Sequence, residues 1–520
     1  MTRETMAGAM QDFPLTLDRF LTHAGKWHPM AEVVTAAPDG GTRRIGYAAL
    51  EARARAISAA LLAQGIGVGD HVATLAWNSQ AHVETWYAIM GIGAACHTLN
   101  PRLTAAQLAD MLGQSRARIV VASADLVPLA QAVAALLDVP PVVLAIDGTA
   151  AVAGLDTLVE PGATAAWGGF DERTPSGLCF TSGTTGRPKG VTYTHRACFL
   201  HTLRSLQADV MAITADDRVL AAVPMFHANA WGLPFAVPAV GATLVLPGRA
   251  TDGASLARLI AAEGVTIAVG VPTVWLGLVE HLDAVGGDLP GLKRIIVGGA
   301  PMPPALMARL ERRLGVTVQT SWGMTELSPA GTFAPPGRGE AASSGRPAIG
   351  IDLLLTDADG VALPEQRGVE GHLRVRGAAV VERYFGQAEP ATDAAGWFAT
   401  GDLARIGPDG DLFITGRAKD LIKSGGEWIN PAEIEGVVGA LPQVSMAAVI
   451  GRSDVKWGER PVLVVELRDG ADIRDEALLA ALRGRVAPWW IPDAVVRLPA
   501  MPLAATGKID KLRLRAEHGQ

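Results

Sequence analysis

The chain has 520 residues, of which 49% are hydrophobic and 19% charged, with a formal net charge of -7. That length exceeds one ordinary core and the composition leaves little room for extended disorder, so a large lobed domain plus at least one smaller domain is expected. Acidic and basic residues are interleaved, which excludes a general nucleic-acid coat or an anionic-membrane binder and requires any anionic ligand to meet a local cluster.

Residues 1–20 mix charges and hold no continuous apolar core, so a cytoplasmic rather than an exported chain is expected. Helical periodicity over 47–64 precedes a strand-like 71–75, and the pairing recurs at 254–263 with 265–271 and at 304–314 with 316–321. This alternation predicts an α/β fold with parallel sheets whose strands run into Gly, Pro or polar turns, where open sheets place ligands. The most apolar window, 231–246, is interrupted by Pro234, Pro238 and Gly241 and is shorter than the ~20 residues of a spanning helix. It reads as core or pocket wall, and no integral membrane segment is expected. Cys96, Cys179 and Cys198 lack metal-ligand or CxxC spacing, so they read as small buried hydrophobes in a reducing compartment.

Near Gly410 the texture changes: 411–415 is strand-like, 416–426 is charged and glycine-rich, and Asn430-Pro431 has the form of a helix start. Strands near 447–450 and 461–467 and a helix near 476–486 complete a small α+β unit. The predicted domains are 1–418, multi-lobed with parallel sheets, and 419–520.

The strongest local signal is Thr181-Ser182-Gly183-Thr184-Thr185-Gly186-Arg187-Pro188-Lys189-Gly190. Hydroxyls, permissive backbone amides and two cations in ten positions suit polyphosphate. It is not a Walker loop, because Pro188 precedes Lys189 and 191–194 reads as a second strand instead of a helix. A hairpin tip without a ligand is the competing reading on composition alone.

This loop resembles the phosphate-loop signature of the adenylate-forming superfamily, which includes acyl-CoA synthetases. Further motifs follow in that family's order: Ser321-Trp322-Gly323-Met324-Thr325-Glu326, Gly396-Trp397-Phe398-Ala399-Thr400-Gly401-Asp402, Gly416-Arg417-Ala418-Lys419-Asp420 and Ala505-Thr506-Gly507-Lys508. The resemblance implies an α/β enzyme with a mobile C-terminal domain that uses ATP, magnesium and coenzyme A to convert a carboxylic acid first to its acyl adenylate and then to a thioester. A carboxylate resists nucleophiles until it gains a leaving group, and forming one against a phosphate needs cations and a metal. The resemblance puts Glu326 on magnesium and Thr325 on a phosphate oxygen. It gives Asp402 and Arg417 to the ribose, and Gly299, Ala300 and Pro301 to the adenine, with a structural turn as the alternative. Trp322 stands where tyrosine is commoner, which implies retained stacking and a lost phenol hydrogen bond.

Lys508 is implied to bridge the substrate carboxylate and the α-phosphate during adenylation. Lys419 takes the hinge position. Lys423 and the glycine passage at Gly425 follow, ready to face a pantetheine tunnel after the small domain rotates, and Trp428 either closes the nucleotide side or packs.

On the acid side, His227 matches the family aromatic that orients the carboxylate, with Gly298 beside the acyl group. Pro224-Met225-Phe226-His227-Ala228-Asn229-Ala230-Trp231-Gly232-Leu233-Pro234 resembles the branch of medium- and long-chain fatty acyl-CoA ligases and methylmercaptopropionate-CoA ligases. There a tryptophan at the Trp231 position gates the acyl tunnel; a core tryptophan is the competing reading. A fatty acid is the expected substrate, with 3-methylmercaptopropionate as the alternative. A carrier-protein-loading acyl-AMP ligase and a nucleotide-binding regulator are the rival functions, and a homodimer is expected from similar ligases.

Overall fold

The computed structural model describes residues 10–147, 152–181, 188–338, 340–425, 427–504 and 508–520. Two sheets with parallel cores build the large domain. The first orders the strands Val142–Ala145, Ile119–Ala122, His71–Leu75, Ala95–Thr98 and Pro175–Phe180 in parallel, and Gly190–Thr194 closes its edge antiparallel. That antiparallel pair is the hairpin expected around the phosphate-loop motif, joined at its mouth by the Thr181 N–H to Lys189 carbonyl bond of 2.9 Å.

The second sheet has nine strands, with a parallel centre that includes Arg218–Ala221, Ile267–Gly270, Arg294–Val297 and Thr317–Gly323. Helices Gly253–Glu263 and Pro304–Leu314 lie where the apolar periodicity puts them, and both end on a left-handed glycine, Gly264 and Gly315. Burial of Leu256, Ile260, Leu306 and Leu310 against Ile295 and Val318 fixes the faces of this layer. The C-terminal ends of the parallel strands therefore deliver 298–301 and 321–326 to one edge of the core.

A four-stranded antiparallel sheet, Ile351–Thr356 to Leu412–Arg417, completes the large domain. The next sheet starts at Ile422–Ser424 and carries the long pair Val444–Asp454 and Gly458–Leu467. Asn430 caps the helix Pro431–Gly439 by accepting the Ala432 N–H at 3.1 Å, with Pro431 in the first turn. The helix expected over 476–486 is shorter: it covers Asp475–Ala480, and the chain then turns through Gly484 at φ 72°. The helical apolar spacing persists beyond the point where the backbone leaves the helix.

Candidate active site

Asp402 is 2% exposed on the strand Phe398–Ile406, and the register sets it opposite Arg417. Arg417 Nε meets Asp402 Oδ1 at 2.7 Å, and the indole N–H of Trp322 donates to Oδ2 at 2.9 Å. Burial raises the Asp402 pKa; Arg417 and the Trp322 hydrogen bond oppose that rise. Trp322, expected to stack without a phenol hydrogen bond, thus donates through its indole nitrogen to the carboxylate.

Glu326 lies in the short turn Thr325–Leu327, directly after the strand Thr317–Gly323. Burial raises its pKa, while the Tyr384 hydroxyl, Arg417 and Lys189 lower it. Tyr384 donates to Glu326 Oε1 at 2.9 Å, and Lys189 sits over the same ring, 4.7 Å from its centre. Backbone bonds fix this arrangement: Val381 N–H to the Glu326 carbonyl and Phe385 N–H to the Gly190 carbonyl, each 2.7 Å. A Cβ at Gly190 would come 2.9 Å from Phe385, so the close approach requires glycine. Tyr193 adds a hydroxyl donated to the Thr325 carbonyl at 2.8 Å.

Lys508 reaches this centre from the C-terminal domain. Desolvation by the surrounding protein, with Arg417 nearby, lowers its pKa. Asp402 and Glu326 pull the other way, and His227 senses the same charge. Lys419 also belongs to this field. Four cations, Lys189, Arg417, Lys419 and Lys508, thus surround two carboxylates, a surplus suited to an anionic polyphosphate. A single carboxylate, Glu326, fits magnesium that arrives on phosphate oxygens better than a caged metal. Among the described residues no group of three or more metal-ligating side chains exists.

Beside His227, a cavity of about 280 Å³ is lined by Phe226, Trp231, Val271 and Val274 and also by Asn100, Arg102 and Arg249. Leu503, from the C-terminal domain, also lines the cavity. Trp231 lies against the turn after Arg294–Val297: a Cβ at Gly298 would meet its ring at 3.0 Å, and one at Gly299 at 3.7 Å. Ser321 donates to the Val297 carbonyl at 2.9 Å and ties the two motif-bearing strands together. Between His227 and Trp231 the backbone is irregular. Ala228, Asn229, Ala230, Trp231 and Gly232 have φ of 47, 53, 46, 55 and 80°, five left-handed residues in succession. For an L-residue this conformation costs about 1–2 kcal/mol, so surrounding contacts must hold the turn.

Thr325, Glu326, Lys189, Trp322, Asp402, Arg417, Lys419 and Lys508 are thus brought together, with His227 linked to them through Lys508. Gly323 and Met324 carry the backbone between Trp322 and Thr325, and the Met324 N–H bonds to the Pro329 carbonyl at 2.9 Å. Thr181 closes the hairpin mouth; Ser182, Gly183, Thr184, Thr185 and Gly186 lie outside the described residues. Ala300 and Pro301 continue the turn from Gly299. Lys423 and Trp428 face each other on a separate hairpin of the small domain, 5.5 Å from cation to ring centre, with Gly425 between the strands and Trp428 exposed. Sequence reasoning missed Tyr384. An aromatic pair before a glycine, Tyr384-Phe385-Gly386, was the available signal.

The model of the AMP-binding enzyme family matches residues 21–385, and that of the AMP-binding enzyme C-terminal domain matches 433–508. The chain is 41% identical to 3-methylmercaptopropionyl-CoA ligase of Ruegeria lacuscaerulensis, over 98% of this chain and 99% of that protein. It is 39% identical to the medium-chain-fatty-acid–CoA ligase of Ectopseudomonas oleovorans, over 99% and 98%. Among solved structures, ATP-bound MatB from Rhodopseudomonas palustris superposes with a TM-score of 0.86 at 26% identity, covering 97% of this chain and 99% of that one.

Proposed function

The chain belongs to the AMP-binding enzyme family and is an AMP-forming acyl-CoA synthetase using ATP, magnesium and coenzyme A, and from that premise we propose that it activates a medium- or long-chain fatty acid. The observation that carries this reading is the cavity beside His227, whose apolar wall includes Phe226, Val271, Val274 and Trp231, the last lying against Gly298, while Arg102 and Arg249 line it as well. An apolar wall rewards methylene groups.

In this reading His227 orients the carboxylate and Lys508 neutralises charge between it and the α-phosphate. Thr325 and the loop containing Thr181 and Lys189 hold the polyphosphate, and Glu326 receives magnesium with it. Asp402 and Arg417 hold the ribose, with Trp322 against the adenine. After adenylation, rotation at Lys419 between the 1–418 and 419–520 units withdraws Lys508 and brings Lys423, Gly425 and Trp428 toward the thiol. The four-stranded sheet ends at Arg417 and the next begins at Ile422, which supports a hinge there. The interdomain ion pair Arg468–Glu280 is exposed at both partners, so breaking it costs little.

A second reading, 3-methylmercaptopropionate as the acid, is favoured by the 41% identity to the Ruegeria protein over nearly full length. Its short thioether chain is also apolar. AMP release with CoA, measured over straight-chain acids of increasing length and over methylmercaptopropionate, separates the two. Maximal efficiency with the thioether acid and a steep fall with longer acids would favour the second. Acid-dependent pyrophosphate exchange without CoA-dependent thioester would instead point to a carrier protein, and nucleotide binding without AMP formation to a regulator. A cytoplasmic homodimer is also proposed, on the resemblance; light scattering and cell fractionation test it.

A further inference from the structure

Two of the three cysteines lie under the left-handed turn that links His227 to Trp231. The Ala228 N–H donates to Cys179 Sγ at 3.4 Å, and the Asn229 side-chain amide donates to Cys198 Sγ at 3.9 Å. Cys179 Sγ also lies 3.9 Å from His227 Nδ1. Cys179 comes from the strand Pro175–Phe180, five residues of which are buried, so the sulfur approaches the ring from a rigid element.

Both groups have definite protonation states. Burial, with Lys508 adding to it, lowers the His227 pKa to about 4, so the ring is neutral and carries one donor and one acceptor nitrogen. Burial pushes the Cys179 thiol up to about 11, so it keeps its proton. The sulfur already accepts from Ala228, which leaves its S–H to find an acceptor. The Phe180 carbonyl, at 3.9 Å, and the hydroxyls of Tyr193 and Thr98 are also within reach, but an imidazole nitrogen is the most basic of these.

We propose that Cys179 is a positioning residue for adenylation, whose S–H donates to His227 Nδ1 and holds the ring as the Nε2–H tautomer, aimed at the substrate carboxylate. This rests on the reading of His227 as the group that orients that carboxylate. A carboxylate accepts hydrogen bonds and cannot donate them. The opposite tautomer would present a lone pair to it, so the thiol sets the sign of the dipole that meets the substrate. The same sulfur anchors the turn at Ala228, which couples the orientation of the ring to the path of the backbone toward Trp231.

The test is acid-dependent pyrophosphate exchange with the wild type, Cys179→Ala, Cys179→Ser, His227→Phe and the double variant Cys179→Ala/His227→Phe, with thermal midpoints for each. Cys179→Ala is expected to raise KM for the acid about three- to tenfold with KM for ATP unchanged, the size of one lost hydrogen bond. Cys179→Ser, which keeps a donor and an acceptor, should restore most of that loss, and in the His227→Phe background Cys179→Ala should add nothing. An equal rise in both backgrounds, an unchanged acid KM, or a serine variant as impaired as alanine overturns the proposal and leaves the sulfur a packing atom. If His227→Phe itself leaves the acid kinetics unchanged, the role of His227 fails first, a distinguishable result. Should the alanine variant not fold, 15N shifts of histidine-labelled wild type decide: a bare Nδ1 and protonated Nε2 at His227 support the assignment, and a protonated Nδ1 overturns it.

Discussion

Trp322 donates its indole N–H to Asp402 at 2.9 Å, so the residue proposed to meet the adenine and the carboxylate proposed to meet the ribose form one unit. Arg417 holds the other carboxylate oxygen at 2.7 Å. With both oxygens anchored, Asp402 is held in one orientation, and each oxygen retains a lone pair for the ribose hydroxyls proposed to meet it.

Trp322→Phe is accordingly expected to raise KM for ATP about ten- to a hundredfold, because a hydrogen bond to a charged group is worth about 1.5–3 kcal/mol. KM for the acid should stay near its original value. Initial rates over both substrates, with a thermal midpoint for the variant, check this. Equal losses for ATP and acid together with a lower midpoint would mean that the indole serves packing against Gly331, which its ring also touches.

Tyr384→Phe keeps the ring under Lys189 and removes the hydroxyl bonded to Glu326. That hydroxyl stabilises the ionised carboxylate, so its loss raises a Glu326 pKa that burial has already raised. The carboxylate then takes up a proton at a higher pH as the solution is acidified. The acid limb of the kcat/KM profile for ATP-magnesium should therefore move to higher pH in the variant, while rates on the plateau change less. A profile that scales without moving would detach Tyr384 from the protonation of Glu326.

Much of this centre was legible in the sequence because its residues come in short clusters of hydroxyls, glycines and charges around Lys189, Glu326, Asp402, Arg417 and Lys508. What joins the clusters was not legible. Tyr384 and Glu326 are 58 residues apart, Trp322 and Asp402 80, and Cys179 and His227 48, and no local pattern reports such pairings. The left-handed run from Ala228 to Gly232 was hidden for a different reason: four of its five residues are not glycine, so composition gives no sign of positive φ. The parallel sheets were readable because their strands are buried on both faces and alternate with amphipathic helices.

Lys508→Ala is expected to abolish adenylation by on the order of a hundred- to a thousandfold, the loss typical of one electrostatic contact in a transition state. Synthetic acyl-AMP and CoA supplied to the variant should still give thioester at a rate near that of the wild type, because the proposed rotation about Lys419 takes Lys508 out of the site in that step. If both half-reactions fall together, Lys508 does not serve adenylation alone.

The last prediction concerns the tryptophan at the acid-side wall. Trp231 is half-buried, and its ring lies against the backbone at Gly298 and Gly299, where added Cβ atoms would stand 3.0 and 3.7 Å away. It lines the cavity and also packs against the core, on a left-handed turn distinct from a helix or strand. Removing it should lengthen the space open to an acyl chain while leaving the nucleotide side, at Asp402 and Arg417, untouched. Trp231→Ala is thus expected to reorder preference among straight-chain acids toward longer ones, with KM for ATP near its original value. Each methylene in an apolar pocket is worth about 1–3 kcal/mol at best, so the profile of efficiency against length should flatten or shift instead of merely scaling. Gly298→Ala offers the complementary change, because its methyl group would press on both the Trp231 ring and the Ser321 hydroxyl. It should shorten the preferred acid. Kinetics over a series of acids with both variants checks the pair: a uniform fall for every acid in each, accompanied by a lower thermal midpoint, would make Trp231 a core residue and place the end of the acyl site elsewhere.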